Sequence, residues 1–152
     1  MSVGRICSRD VDLADAEETV WQAAERMHQR AVGTLLILND TNKPIGILTD
    51  RDLVERVVAM GRDPNSTRVG SVMTHNPRTI LEVGSIESAL SLMRSGRFRR
   101  LPVVDSQDKL VGLVSLDDVL MLLAEEFMQI GQLLNRETPG GVAAESAAKL
   151  AL

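Results

Sequence analysis

The sequence predicts an α/β (α+β) fold of two tandem β-α-β-β-α repeats whose sheets pack against each other. Three observations predict it. The stretch Ile45-Gly46-Ile47-Leu48-Thr49-Asp50-Arg51-Asp52 returns as Val111-Gly112-Leu113-Val114-Ser115-Leu116-Asp117-Asp118, an offset of 66 residues. A helical stripe recurs at the same offset, and a short apolar run follows each stripe. Self-similarity at a fixed period marks repeated supersecondary units.

The first strand of each repeat is expected near Leu13 and near Thr79–Leu81. Val20, Ala23, Ala24 and Met27 then fall at i, i+3, i+4 and i+7, the spacing of one helix face. Ile86, Ala89, Leu90 and Met93 repeat that spacing. Thr19 with Gln22 three residues on is a capping-box start, and Ser85 opens the second helix. The runs Leu35–Leu38 and Leu101–Val104 are too short for helices and read as buried strands. Polar turns at Asn39–Lys43 and Asp105–Lys109 lead into second strands, Ile45–Leu48 and Leu110–Val114. A second helix begins near Thr49 and near Ser115; Leu53, Val54, Val57 and Val58 are the expected apolar face of the first. Gly61–Arg68 holds Gly, Asp, Pro, Asn and Ser and reads as the inter-repeat linker. The last helix runs from Leu116 to about Leu134, broken by Thr138-Pro139-Gly140-Gly141. The domains are therefore 1–66, 67–134 with an extended C-terminal helix, and a flexible tail, 135–152. A repeat of about 60 residues is marginal as a single core, so the two are expected to pack through their sheets and leave two related clefts.

Composition narrows the function classes. Of the 152 residues 44% are hydrophobic and 25% charged, an ordinary globular balance. A net charge of −4 argues against nucleic acid, and 2% aromatic content with no Tyr argues against base-stacking platforms. The single cysteine, Cys7, forms no internal disulfide and aligns with apolar Met73, so a buried inert thiol is expected. His28 and His75 give no metal-ligand spacing, so no metal is expected. His28 aligns with Arg94 and is expected on the surface. Met27 and Met93 read as packing, and Trp21 lies off the stripe as a candidate dimer contact. There is neither a run of 18 apolar residues nor a signal-peptide core, so the expected location is cytoplasmic. The chain has no Gly-rich phosphate loop with Lys and no recognisable nucleophile–base pair, so no enzyme is expected.

The pattern Gly-apolar-x-Thr/Ser-x-x-Asp at a strand-to-helix turn resembles the CBS-domain signature. It occurs as Gly46-Ile47-Leu48-Thr49-Asp50-Arg51-Asp52 and as Gly112-Leu113-Val114-Ser115-Leu116-Asp117-Asp118. Val72-Met73-Thr74 with Pro77 and Thr79 resembles the opening of such a domain, and Arg99-Arg100-Leu101-Pro102-Val103-Val104-Asp105 the segment before its second strand. The resemblance covers roughly residues 3–125. It implies a pseudo-twofold, non-catalytic regulatory module. Such a module binds AMP, ADP, ATP or another adenosyl ligand, such as S-adenosylmethionine or NADH, in clefts between two repeats. It also implies a homodimer acting on an unidentified partner protein, since no enzyme or transporter domain is recognisable in the sequence.

The expected site of repeat 2 comprises Thr79, Ile80, Arg99, Arg100, Leu101, Pro102, Ser115 and Asp118. That of repeat 1 comprises Leu13, Gly33, Thr34, Leu35, Thr49, Arg51 and Asp52. Asp52 and Asp118 each offer two oxygens to ribose hydroxyls. Thr49 and Ser115 offer hydroxyls beside helix N–H groups to a phosphate. Arg51, Arg97, Arg99 and Arg100 supply positive charge, and Gly46 and Gly112 permit close backbone approach. Backbone groups around 79–80 and 99–101 would read the base. Thr49-x-x-Asp52 and Ser115-x-x-Asp118 are equally good helix starts with no ligand at all; the two roles are compatible in one residue. The repeats also differ. Arg9-Asp10-Val11-Asp12-Leu13 stands where His75-Asn76-Pro77-Arg78-Thr79 recurs, and Val32-Gly33-Thr34-Leu35-Leu36 where Phe98-Arg99-Arg100-Leu101-Pro102 recurs. The first repeat lacks the proline and the basic pair. A purely structural dimerisation module with filled clefts is the competing reading.

Overall fold

Helix α1 (Val20–Arg30) begins on the expected capping box: Thr19 Oγ1 accepts from Gln22 N–H and Gln22 Oε1 accepts from Thr19 N–H. The computed structural model to which α1 belongs describes residues 1–96 and 98–137. Val20, Ala23 and Met27 of the stripe are buried, while Trp21 and His28 point to solvent. Strands β1 (Thr34–Leu38) and β2 (Pro44–Thr49) follow as an antiparallel hairpin. Helix α2 (Asp50–Leu53) continues as a π turn over Val54–Val58, with Ala59 N–H donating to Val54 O. The π turn overturns the expected apolar face of this helix. Val57 is buried and Leu53 half-buried, but Val54 and Val58 are exposed, because an i→i+5 turn breaks the 3.6-residue period.

The second half repeats this order. A short helix α3 (Val69–Val72) precedes strands β3 (Thr74–His75) and β4 (Ile80–Leu81). Helix α4 (Ile86–Gly96) is capped by Ser85 Oγ, which accepts from Ser88 N–H. Strands β5 (Arg100–Val104) and β6 (Leu110–Ser115) form the second hairpin. Its register copies the first at the 66-residue offset: Thr34 faces Thr49 as Arg100 faces Ser115, and both hairpins shift at the equivalent point, between Ile37 and Leu38 and between Val103 and Val104. Both turns use an Asx side chain, and Asn42 and Asp108 both sit at φ 62°.

The expected first strands stand at Ile80–Leu81 and, as a single bridge, at Leu13, and each is preceded by a segment that pairs with the sheet of the other half. Thr74–His75 pairs antiparallel with β2 of the first half, giving the sheet β1-β2-β3, while Ile80–Leu81 pairs parallel with β5, giving β4-β5-β6. At the N-terminus Ser8 bridges Leu113 and Leu13 bridges Leu36, the same exchange in reverse. Packing follows the crossing. The first core joins Leu35, Ile37 and Leu48 to Val69, Val72 and Met73 from beyond the linker. The second joins Leu101, Val103 and Val114 to Val3 from the N-terminus. Full burial of each aliphatic side chain contributes about 1.5–3 kcal/mol.

The linker is tied down rather than loose. Thr67 O and Pro64 O accept from Val20 and Trp21 N–H, two first-turn donors of α1 that lack intrahelical partners. All of this lies in one compact unit, Met1–Leu116. The described part of a second unit, from Asp117 on, is helix α5 (Leu116–Glu137), three residues longer than expected. Its Leu120, Met121, Phe127, Met128, Leu133 and Leu134 are exposed. No helix of the described residues is long and apolar enough to cross a membrane. The expected break at Thr138-Pro139-Gly140-Gly141, the tail to residue 152 apart from 135–137, and Arg97 lie outside the described residues.

Candidate functional site

Thr49 ends β2 and caps α2. Its Oγ1 accepts from Asp52 N–H at 3.2 Å, and Asp52 Oδ2 accepts from Thr49 N–H at 2.9 Å. The helix-start reading of Thr49-x-x-Asp52 therefore holds. Asp52 is 9% exposed, and its Oδ1 stands 3.3 Å from the Arg56 guanidinium one turn on. Arg56 also donates to Val72 O and Thr74 Oγ1, which locks that turn to the start of β3. The Asp50 N–H donates to Gly33 O, just as Leu116 N–H donates to Arg99 O.

A cavity of about 790 Å³ opens beside this turn. Thr49, Arg51, Asp52 and Arg56 line it from the first half; Asn76, Pro77 and Arg78, then Phe98, Arg99, Arg100 and Pro102, line it from the second. This differs from the expected grouping, which gave each repeat its own site. The strand exchange is the reason. Pairing of Thr74–His75 with β2 carries the Asn76–Arg78 loop to the end of β2, so the acid of one repeat meets the arginines of the other.

Of the expected site of repeat 1, Thr49, Arg51 and Asp52 line this cavity; of repeat 2, Arg99, Arg100 and Pro102 do. Leu35 and Leu101 are fully buried in the two cores, and Ile80 is buried in the second. Their side chains fill those cores and do not line the cavity. Leu13 lines a different hollow of about 680 Å³, beside the Glu18–Arg26 ion pair. Thr34 Oγ1 is buried, with no hydrogen-bond partner among the described residues. Thr79 is half-buried and outside the cavity lining. Ser115 ends β6 and Asp118 lies in the first turn of α5, at the positions related to Thr49 and Asp52.

Gly46 and Gly112 permit close approach of the crossing segments. A Cβ on Gly46 would meet Met73 Sδ at 2.2 Å, and one on Gly112 would meet Ser8 O at 2.5 Å and Cys7 Sγ at 2.8 Å. Both glycines lie where the exchanged segment crosses the neighbouring sheet.

Charge around the cavity is mostly positive. Arg51 is tied to Glu55 at 2.6 Å, and that hydrogen bond raises its pKa above the ordinary value. Arg78 donates to the neutral Ser95 Oγ at 3.2 Å. Among the described residues Arg78, Arg99 and Arg100 form no ion pair. Sequence reasoning passed over Arg56, Asn76, Pro77, Arg78 and Phe98 as site residues. The i,i+4 spacing of Asp52 and Arg56 was a readable signal, as was the contrast of Arg78 with Asp12 at the 66-residue offset. No group of three or more His, Cys, Asp or Glu among the described residues could hold a metal ion.

Comparison with known proteins gives one consistent outcome. The CBS domain family profile matches residues 3–59 and 69–125. An uncharacterised protein of Methanopyrus kandleri is 36% identical over 122 residues, 80% of this chain and 62% of its own length. The mitochondrial CBS domain-containing protein CBSX3 of Arabidopsis thaliana is 31% identical, over 82% of this chain and 62% of its own length. The chain thus spans less than two thirds of those two relatives. Hypoxic response protein 1 of Mycobacterium tuberculosis is 33% identical over 79% of this chain and 83% of its own. A solved structure of Hypoxic Response Protein I with two coordinated zinc ions superposes at a TM-score of 0.71, with 30% identity over 80% of this chain and 98% of that one. A solved CBS domain pair in complex with methylthioadenosine and S-adenosyl-L-methionine superposes at 0.73, with 24% identity over 81% of this chain and 99% of that one, a likeness of fold.

Proposed function

The chain belongs to the CBS domain family, and on that premise we propose that it is a non-catalytic regulatory module that binds an adenosyl ligand in the cavity between its two repeats. One observation carries the reading: a nearly buried carboxylate, Asp52, beside the Thr49 hydroxyl in a cavity of about 790 Å³ rimmed by arginines. The size falls within the usual range for small-molecule sites, about 300–1,000 Å³. Asp52 spends Oδ2 on the Thr49 N–H; Oδ1, shared with Arg56, keeps a lone pair for a ribose hydroxyl. Ile47, Pro77, Phe98 and Pro102 give the base an apolar slot. The adenosyl compounds in the solved CBS pair support the ligand class. In this reading AMP, ADP, ATP, S-adenosylmethionine and NADH are the candidate ligands. The working unit is a cytoplasmic homodimer whose geometry shifts on binding and so acts on a partner protein. Ser115 and Asp118 are kept as candidate ligand groups.

Calorimetry with each of the five compounds on wild type and Asp52→Asn tests it. Asparagine keeps an acceptor for the Thr49 N–H but loses the charge, so the cap survives while affinity falls by about tenfold or more. Failure of the wild type to bind any of the five would leave the competing reading, a structural dimerisation module. One observation favours that reading for the other half: Arg30 bonds Asp12 at 2.8 Å and Asp10 at 3.2 Å, positions equivalent to Arg78 and Asn76.

A further inference from the structure

We infer that the Thr49–Asp52 cavity selects adenosine ligands that carry two or more phosphates, and that the chain takes one such ligand rather than two. The inference rests on the adenosyl-binding reading above and adds the charge class and the stoichiometry.

The first ground is the charge balance of the rim. Five guanidinium groups line the cavity: Arg51, Arg56, Arg78, Arg99 and Arg100. Glu55 offsets Arg51, and Asp52 offsets Arg56. Among the described residues, Arg78, Arg99 and Arg100 have no carboxylate partner, and the Arg78 hydrogen bond goes to the neutral Ser95 hydroxyl. Three guanidinium groups without a carboxylate partner, set against one further lining carboxylate, Asp50, leave the lining net positive and suit a polyanion. Guanidinium forks also match phosphate oxygens in geometry. S-adenosylmethionine, with a sulfonium and an ammonium against one carboxylate, is net positive and meets that wall with like charge. Adenosine gains nothing from it.

The second ground is that the related half reverses this pattern. At the 66-residue offset, Arg78 becomes Asp12, Arg99 becomes Gly33 and Arg100 becomes Thr34. No equivalent position holds a cation. The cation that does stand there, Arg30, replaces Gly96 of the cavity lining and spends its guanidinium on Asp12 and Asp10. Asp12 leads this pairing, and the bond raises the Arg30 pKa above its ordinary value. A phosphate brought to this half would meet carboxylates and an arginine already engaged. Two related backbones thus carry opposite charge, and only one suits a polyphosphate.

The test is isothermal titration of the full chain with ATP, ADP, AMP, adenosine and S-adenosylmethionine, at about 50 and about 300 mM salt. ATP and ADP are expected to bind at one per chain, tighter than AMP and at least about tenfold tighter than adenosine or S-adenosylmethionine, with the gap narrowing at high salt. The double variant Arg99→Gln/Arg100→Gln should lose about tenfold or more for ATP, which brings ATP down toward adenosine. Both substitutions sit on the rim, outside the cores, and circular dichroism checks that the fold is kept. AMP, adenosine or S-adenosylmethionine binding as tightly as ATP, or two ATP per chain, overturns this inference alone. Binding of none of these five overturns this inference, and if NADH also fails to bind the adenosyl reading falls with it.

Discussion

Thr34 carries a cost inside β1. Its hydroxyl is buried and unpaired among the described residues, and an unsatisfied buried hydroxyl costs about 1–3 kcal/mol. Thr34→Val keeps the β-branched shape, so it is expected to raise stability by about 1 kcal/mol in urea unfolding while ATP affinity holds. A loss of stability would mean that the hydroxyl has a partner in solution. Asp105 shows the opposite case, a carboxylate with work to do. It accepts from Lys109 and Gln107 N–H at 2.9 and 2.8 Å, and these bonds, that of Lys109 first, hold its pKa below the ordinary value. A lowered folded-state pKa means that the turn's contribution is present above the unfolded carboxylate range and is lost as pH falls through the folded value. Asn39, its counterpart 66 residues earlier, makes the same two kinds of bond without titrating. Asp105→Asn should therefore flatten part of the fall in melting temperature between about pH 5 and about pH 2. Identical acid profiles for variant and wild type would contradict this.

At the scale of elements, the repeated strand glycines are explained by what crosses them. Alanine at Gly112 would press on Ser8 O, a backbone atom in the segment that bridges Leu113. Overpacking of this kind costs about 1–3 kcal/mol. Gly112→Ala is thus expected to lower the unfolding free energy measured in urea by that amount and to leave ATP affinity unchanged, because Gly112 is absent from the cavity lining. Lost affinity at full stability would restore a ligand-approach role for this glycine. The helices were legible for a related reason: Thr19, Ser85 and the two apolar stripes are local signals, and burial follows them. The π turn at Val54–Val58 was not legible, since its composition is that of an ordinary helix.

For the whole molecule, the exchange of N-terminal segments couples the two cores. Val3 is fully buried among residues of the second half, and Val69 and Val72 among residues of the first. Val3→Ala should cost about 2 kcal/mol. It should also shift the transition seen by Trp21, the sole tryptophan, which sits on α1 of the first half. An unmoved Trp21 midpoint, or two separate transitions, would show that the halves unfold independently. The repeat, its offset, the order of elements and the identity of Thr49 and Asp52 as a strand-to-helix pair were determined by the sequence alone, because periodicity, capping and turn chemistry act over a few residues. Tertiary structure decided which side chains share a cavity. Asp52 shares a cavity with Arg78, Arg99 and Arg100 because Thr74–His75 crosses to the other sheet. Such long-range strand pairing depends on how the two halves share their cores, and nothing within one repeat encodes it.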